Sequence, residues 1–293
     1  MTGSATAAAS ESPPPLAGMA WFGPDPGWRI VDFRELWNYR ELLLVFAVRD
    51  LKVRYRQAVV GIAWAILQPV ATMLVFVVLF GWLGRRPAAE GAPYGLLAYI
   101  GMLVWQLFAY SVREGSASLV GNRDLVTKVY FPRLLLPAAT VVCALVDFLI
   151  ALLVLIPLMI AFNVSPSARL LLLPAFLSLA ILAALAGSLW AAALNALYRD
   201  IGYVIPFLLQ LGFFAAPVVY QTDALVPERW RWLWGLNPLA AAIEGCRWSI
   251  VVHPGVSGPD WKLLPVTALV TLAVLIAGLA YLRRVERWIA DRI

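Results

Sequence analysis

Long apolar runs, separated by short polar or basic clusters, set the pattern of this chain. The first, at about 58–83, contains no charged residue, and about 20 apolar residues are enough to cross a bilayer as a helix. Comparable runs follow at about 94–112, 134–162, 170–194, 201–220 and 263–282. Pro69 allows a kink inside the first, and Pro157 lies within the third. The pattern predicts an all-α membrane protein of six spans.

Two stretches depart from it. Upstream, Asp32 and Glu35 have capping-box spacing, and Phe33, Leu36, Trp37, Leu44, Ala47, Val48, Leu51 and Tyr55 recur at helical intervals opposite Arg34, Glu41, Arg49, Lys52 and Arg56. This predicts an amphipathic helix over 32–56 lying in the membrane interface, preceded by a disordered cytoplasmic tail at 1–27, rich in Ala, Ser, Pro and Gly. Downstream, 221–260 mixes polar and apolar pieces with Trp230, Trp232, Trp234 and Trp248, close to Trp261. It predicts external re-entrant helices that enter the outer leaflet and return, a backbone path tolerated only when shielded by protein or water.

Composition agrees: 62% of the 293 residues are apolar and 14% charged, against about 25% charged in a soluble domain. The net charge of +6 would suit nucleic acid if it were clustered on a soluble face. It is instead distributed by topology. With both ends cytoplasmic, fifteen cations fall inside and seven outside, and Arg113 sits at a boundary, as the positive-inside rule requires. The charge calls for no nucleic-acid partner. One histidine, His253, and two separated cysteines, Cys143 and Cys246, offer no metal set and no evident disulfide. The sequence has no G-x-x-x-x-G-K-[ST], G-x-S-x-G or H-E-x-x-H, so no phosphate-cradling loop, serine nucleophile or zinc helix is expected. A transporter energised by another subunit fits these absences. A membrane glycan-modifying enzyme would need reactive groups that the chain lacks, and a proton-driven flippase would rest on Asp147 alone.

Several segments carry a family resemblance. RDLKVRYRQAVVGIAWAILQPVATMLVFVVLFGWL resembles the opening of ABC-2 type permeases of the polysaccharide-export branch. VGNRDLVTKVYFPRLLLPAA is similar to their cytoplasmic loop, and ALYRDIGYVIPFLLQLGFFAAPVVY and LNPLAAAIEGCRW to their fifth span and the segment beyond. The similarity extends over about 36–287. It implies a half-transporter: two copies forming a pore, separate ABC ATPase subunits holding ATP and Mg, no cofactor in this chain, and a lipid-linked polysaccharide such as an O-antigen as cargo. A permease for a small amphipathic drug or lipid is the alternative.

The resemblance gives the loop 119–133 the role of a coupling helix, with Asn122, Arg123, Asp124, Lys128 and Tyr130 facing the ATPase; otherwise it is a solvated basic loop. Arg49, Lys52, Arg54 and Arg56 either anchor the topology through anionic lipid or meet the pyrophosphate of a carrier lipid, for which the guanidinium fork is suited. Trp64, Tyr99, Trp105, Phe108, Tyr110, Phe213, Phe214 and Tyr220 either line a glycan channel or belong to packing and the aromatic belt. Glu244 and Arg247, three apart on a helix, either neutralise one another or latch an external gate. Asp147 stands in apolar chain, either as a proton site or as a structural acid that is protonated or paired with arginine.

Overall fold

A computed structural model describes residues 37–56, 61, 63–82, 91–129 and 131–292, with side chains as far as Glu286. The expected tail at 1–27, the capping box at Asp32, the external cations Arg85 and Arg86, and Tyr130 lie outside the described residues.

The described residues form helices and no strands. In chain order these are α1 (Arg40–Arg56), α2 (Ala63–Trp82), α3 (Tyr94–Gly121), α4 (Arg123–Lys128), α5 (Leu135–Leu152), α6 (Leu155–Ala161), α7 (Leu173–Leu197), α8 (Ile201–Ala215), α9 (Thr222–Leu225), α10 (Arg231–Gly235), α11 (Pro238–Ile250) and α12 (Leu264–Arg292). Short 3-10 turns at Ala168–Leu172 and Glu228–Trp230 complete the set. Five helical stretches are long and apolar enough to cross a membrane: Ala63–Trp82, Tyr94–Gly121, Leu135–Ala161, Ala168–Leu197 and Leu264–Glu286.

Helix α3 is the hub. Of its most apolar stretch 83% is buried, against 17–33% in the other four. It packs on α7, α5, α11 and α2. Small residues allow the close approach, as is usual between helices in lipid, where apolar burial alone gives little drive. A Cβ on Gly115 would stand 1.9 Å from the Ser188 hydroxyl of α7. Ser188 shares a polar seam with Thr140 of α5, and both hydroxyls reach the carbonyl of Pro137. The outward faces of α2, α8 and α12 carry bare apolar side chains such as Val75, Val78, Phe207, Leu211 and Leu269. This is the pattern of a multi-pass membrane protein, polar seam inside and apolar coat outside.

Four features differ from the sequence reading. Helix α3 runs on to Gly121 instead of stopping near 112, because Arg113 and Glu114 remain in helical register. The third apolar run is divided at Leu153 and Val154; Pro157 has no N–H for the Leu153 carbonyl and its ring crowds that carbonyl. The fifth run, expected over 201–220, is helical only to Ala215. Ala216 is extended (ψ 147°), as a residue preceding proline prefers, and Pro217 follows. Fifteen residues span about 22 Å, short of the roughly 30 Å hydrocarbon core. Finally, α1 is not cleanly two-faced. Phe46 and Ala47 are buried against the bundle, while Leu44, Val45, Val48 and Val53 are exposed beside the cations.

Candidate functional site

Three clusters hold the residues singled out by sequence. The first surrounds α4. Asn122 precedes it, yet its side chain caps nothing there: the amide donates back to the Ser118 carbonyl at 2.8 Å. Val126 is buried with Leu119, Phe131 and Leu135, so one side of this short helix is fixed to the bundle. Arg123, Asp124 and Lys128 point out. Asp124 and Lys128 pair at 3.4 Å with side chains 81% and 73% exposed, a geometry that contributes little to stability. Arg133 closes the segment by donating to the Glu286 carbonyl and facing the Glu286 carboxylate at 3.7 Å. The loop therefore ends on the last helix, a tie that sequence spacing does not reveal.

The second cluster joins α1 to α5. Phe46 packs on Phe131 with ring centres 5.5 Å apart, and the Cys143 thiol donates to the Ala47 carbonyl at 3.4 Å. Farther along, Arg54 forms an ion pair with Asp147, and the Tyr55 hydroxyl donates to the other carboxylate oxygen. The Arg54 guanidinium lies over the Tyr110 ring at 4.4 Å. Burial, and then the bond to Asp147, raise the Tyr55 phenol above its usual range, so it stays a donor. Arg49 is satisfied locally by Asp50 at 2.8 Å, whereas Lys52 and Arg56 are exposed without an ion pair among the described residues. Among the described residues, Arg54 is the one of the four cations whose partners, Asp147 and Tyr110, come from other helices. Asp147 is an arginine-paired acid.

The third cluster fills the turn after α8. Breaking the helix at Pro217 frees carbonyls in an apolar setting, where each unsatisfied group is costly. Arg247 of α11, 2% exposed, satisfies two of these, donating to the Val218 (2.6 Å) and Tyr220 (2.7 Å) carbonyls, and ties the turn to α3 by donating to the Leu97 carbonyl (2.8 Å). The Tyr94 hydroxyl takes the carbonyl of Val219 at 2.9 Å. The expected ion pair between Glu244 and Arg247 is not formed among the described residues. The guanidinium is committed to the turn, and Glu244 accepts from the Thr222 hydroxyl. Helix α11 is outside the five candidate spans. Burial pushes the Glu244 carboxyl up to about 7, with Thr222 and then Arg247 pulling the other way.

The aromatic candidates separate by exposure. Tyr99 is fully buried and donates to the Ala151 carbonyl at 2.7 Å, beside the break in the third run. Tyr220 is 8% exposed; its hydroxyl donates to Phe214 and accepts from the Trp234 indole at 2.9 Å. These two brace helix breaks and do not line an opening in this conformation, because a buried phenol needs a partner and the freed carbonyls supply one. Trp105, Phe108 and Phe213 meet where α3 faces α8, with Trp105 5.7 Å from Phe108 and 5.9 Å from Phe213. Trp64 and Phe214 are exposed, and Tyr110 belongs to Arg54. The bonds made by Tyr55, Tyr94 and Arg133 and the close contact at Gly101 were not expected from sequence; a tyrosine in apolar chain near a proline break is the signal that marks Tyr94.

Comparison with known proteins follows the same span. Residues 41–251 match the family model described as ABC-2 type transporter. The O-antigen export system permease protein RfbA of Myxococcus xanthus is 33% identical over 246 residues, covering 84% of this chain and 92% of that protein. A protein of the same name from Klebsiella pneumoniae is 26% identical over 252 residues, covering 86% and 94%. The polysialic acid transport protein KpsM of Escherichia coli is 25% identical over 251 residues, covering 82% and 91%. The matched region takes in α1, the hub helix α3, the projecting α4 and the Arg247-bound turn, and the chain belongs to the ABC-2 type transporter family.

Proposed function

We propose that this chain is the permease subunit of an ABC exporter that moves a lipid-linked polysaccharide, such as an O-antigen, outward across the cytoplasmic membrane. The observation that carries the reading is the near full-length similarity to RfbA permeases of O-antigen export. Both termini lie in the cytoplasm, and two copies enclose the pore. Helix α8, with the turn to Tyr220, serves as the sixth crossing. The short helices α9 to α11 form the external re-entrant segment, with Glu244 and Arg247 at its gate.

ATP and Mg act in a separate ABC ATPase subunit. Helix α4 docks there: it is anchored by Val126 on one side and presents Arg123, Asp124 and Lys128 on the other, the form a rigid push-rod between subunits needs. Arg54, supported by Arg49, Lys52 and Arg56, meets the phosphate of the carrier lipid. The aromatic surface around Phe108, Phe213 and Trp105 is the stretch against which sugar rings slide.

The test is co-expression of this chain with its candidate ATPase, followed by detergent purification. Recovery of a complex whose ATP hydrolysis rises with lipid-linked glycan supports the reading. A chain that purifies alone and moves glycan in vesicles without ATP would sink it.

A further inference from the structure

The environment of Arg54 holds more than a structural ion pair requires. Asp147 engages it through one guanidinium nitrogen only, because the second carboxylate oxygen is occupied by the Tyr55 hydroxyl. The plane is fixed by the Tyr110 ring at 4.4 Å and flanked by the Tyr55 ring at 5.4 Å. Nε and Nη2 make no hydrogen bond to a described residue. The acid is the inner member, with its side chain 15% exposed against 34% for Arg54. A guanidinium held from behind, stacked on an aromatic face and left with a donor edge outward has the form of an anion receptor. The anion behind it cancels most of its charge.

We propose that Asp147 tunes Arg54 into a weak, reversible site for a phosphate group, orienting the guanidinium while holding its affinity down. The inference rests on the reading of Arg54 as the carrier-lipid contact. Passage requires binding that is favourable enough to capture and weak enough to release. An arginine without a counter-ion would hold phosphate more tightly and release it more slowly. Asp147 supplies an internal anion that competes for the same donors, and Tyr55 limits that competition by occupying one of its oxygens.

The test titrates the full chain, purified in detergent, with undecaprenyl phosphate, with uncharged undecaprenol and with inorganic pyrophosphate. Asp147→Asn keeps an acceptor for Arg54 and removes the charge, so it should bind undecaprenyl phosphate about fivefold more tightly. Arg54→Gln should lose that binding, and the double variant should behave like Arg54→Gln. Tyr55→Phe frees the second oxygen of Asp147 for Arg54 and should weaken binding; it also decides the matter if Asp147→Asn does not fold. Pyrophosphate that displaces the lipid assigns the site to any phosphate group. Failure to displace, with the same dependence on Arg54 and Asp147, assigns it to lipid-borne phosphate. Unchanged or weaker binding in folded Asp147→Asn, with Arg54→Gln defective, overturns the role of Asp147 alone. Equal binding of undecaprenol, or full binding by Arg54→Gln, overturns the reading of Arg54 as well.

Discussion

The carbonyl of Val218 occupies the space that a side chain on residue 101 would take: a Cβ on Gly101 would stand 2.2 Å from that oxygen and 2.6 Å from Nη2 of Arg247. Backbone, glycine and guanidinium fix one another, and none has a flexible end able to yield. Gly101→Ala should therefore destabilise the fold by about 1–3 kcal/mol, the usual range for overpacking. A lowered melting temperature in detergent checks this. Gly121→Ala meets nothing within 4 Å and serves as the control.

Replacing Arg247 tests whether the turn needs donors or only bulk. Arg247→Met fills similar space and leaves the Val218 and Tyr220 carbonyls of the turn without their donor, each loss worth about 1–3 kcal/mol. Arg247→Lys retains the charge but lacks the planar fork. Both should lower the melting temperature, with Met the lower, and exchange of the 216–220 amides should accelerate in both.

Glu244 predicts a pH dependence. Its carboxyl titrates at about 7 in the fold and at about 4.3 in an unfolded chain. An acid raised in this way stabilises the fold fully below the unfolded value, and that stability is lost as pH rises through about 7. Melting temperature should fall between about pH 4 and pH 7, the window those two values mark, and Glu244→Gln should flatten that part of the profile. An unchanged slope in the variant would assign the dependence elsewhere.

Helix α4 offers a separation of folding from docking. The Asp124 and Lys128 pair is exposed, so Asp124→Ala should change stability by less than about 0.5 kcal/mol. Under the proposed role, the same substitution lowers recovery of the ATPase with the purified chain. Val126→Ala removes the buried anchor and should do both. Equal recovery with Asp124→Ala and wild type would remove Asp124 from the docking face.

Tyr99 distinguishes brace from channel. Tyr99→Phe keeps the ring and removes one buried hydrogen bond, which should cost about 1 kcal/mol and leave transport rate per folded molecule unchanged. Phe213→Ala, on the aromatic surface shared with Trp105, should lower that rate.

The apolar runs located the helices because lipid imposes a length and a composition that water does not. The all-α class and the interrupted segment after Tyr220 were legible for that reason. The ends were less so. Arg113 and Glu114 suggested a loop, yet charge alone does not break a helix, and α3 continues through them. Spacing within one helix permits Arg247 to pair with Glu244, while the stronger demand comes from backbone carbonyls freed by Pro217 far away in sequence. Likewise Asp147 could be recognised as needing a cation, but which of four arginines and lysines supplied it depended on how α1 lies along α5.

The hub position of α3 has a consequence for biogenesis. It is the second apolar helix made, and the least apolar of the five by mean hydropathy, yet the helices that cover it, α5 and α7, emerge later. Until residue 197 has been synthesised, Ser111, Ser116, Ser118 and the glycine face have no protein cover from α7. A nascent chain at that stage holds a crossing helix whose serine hydroxyls are satisfied by its own carbonyls, while the side that will pack on α5 and α7 still awaits its neighbours.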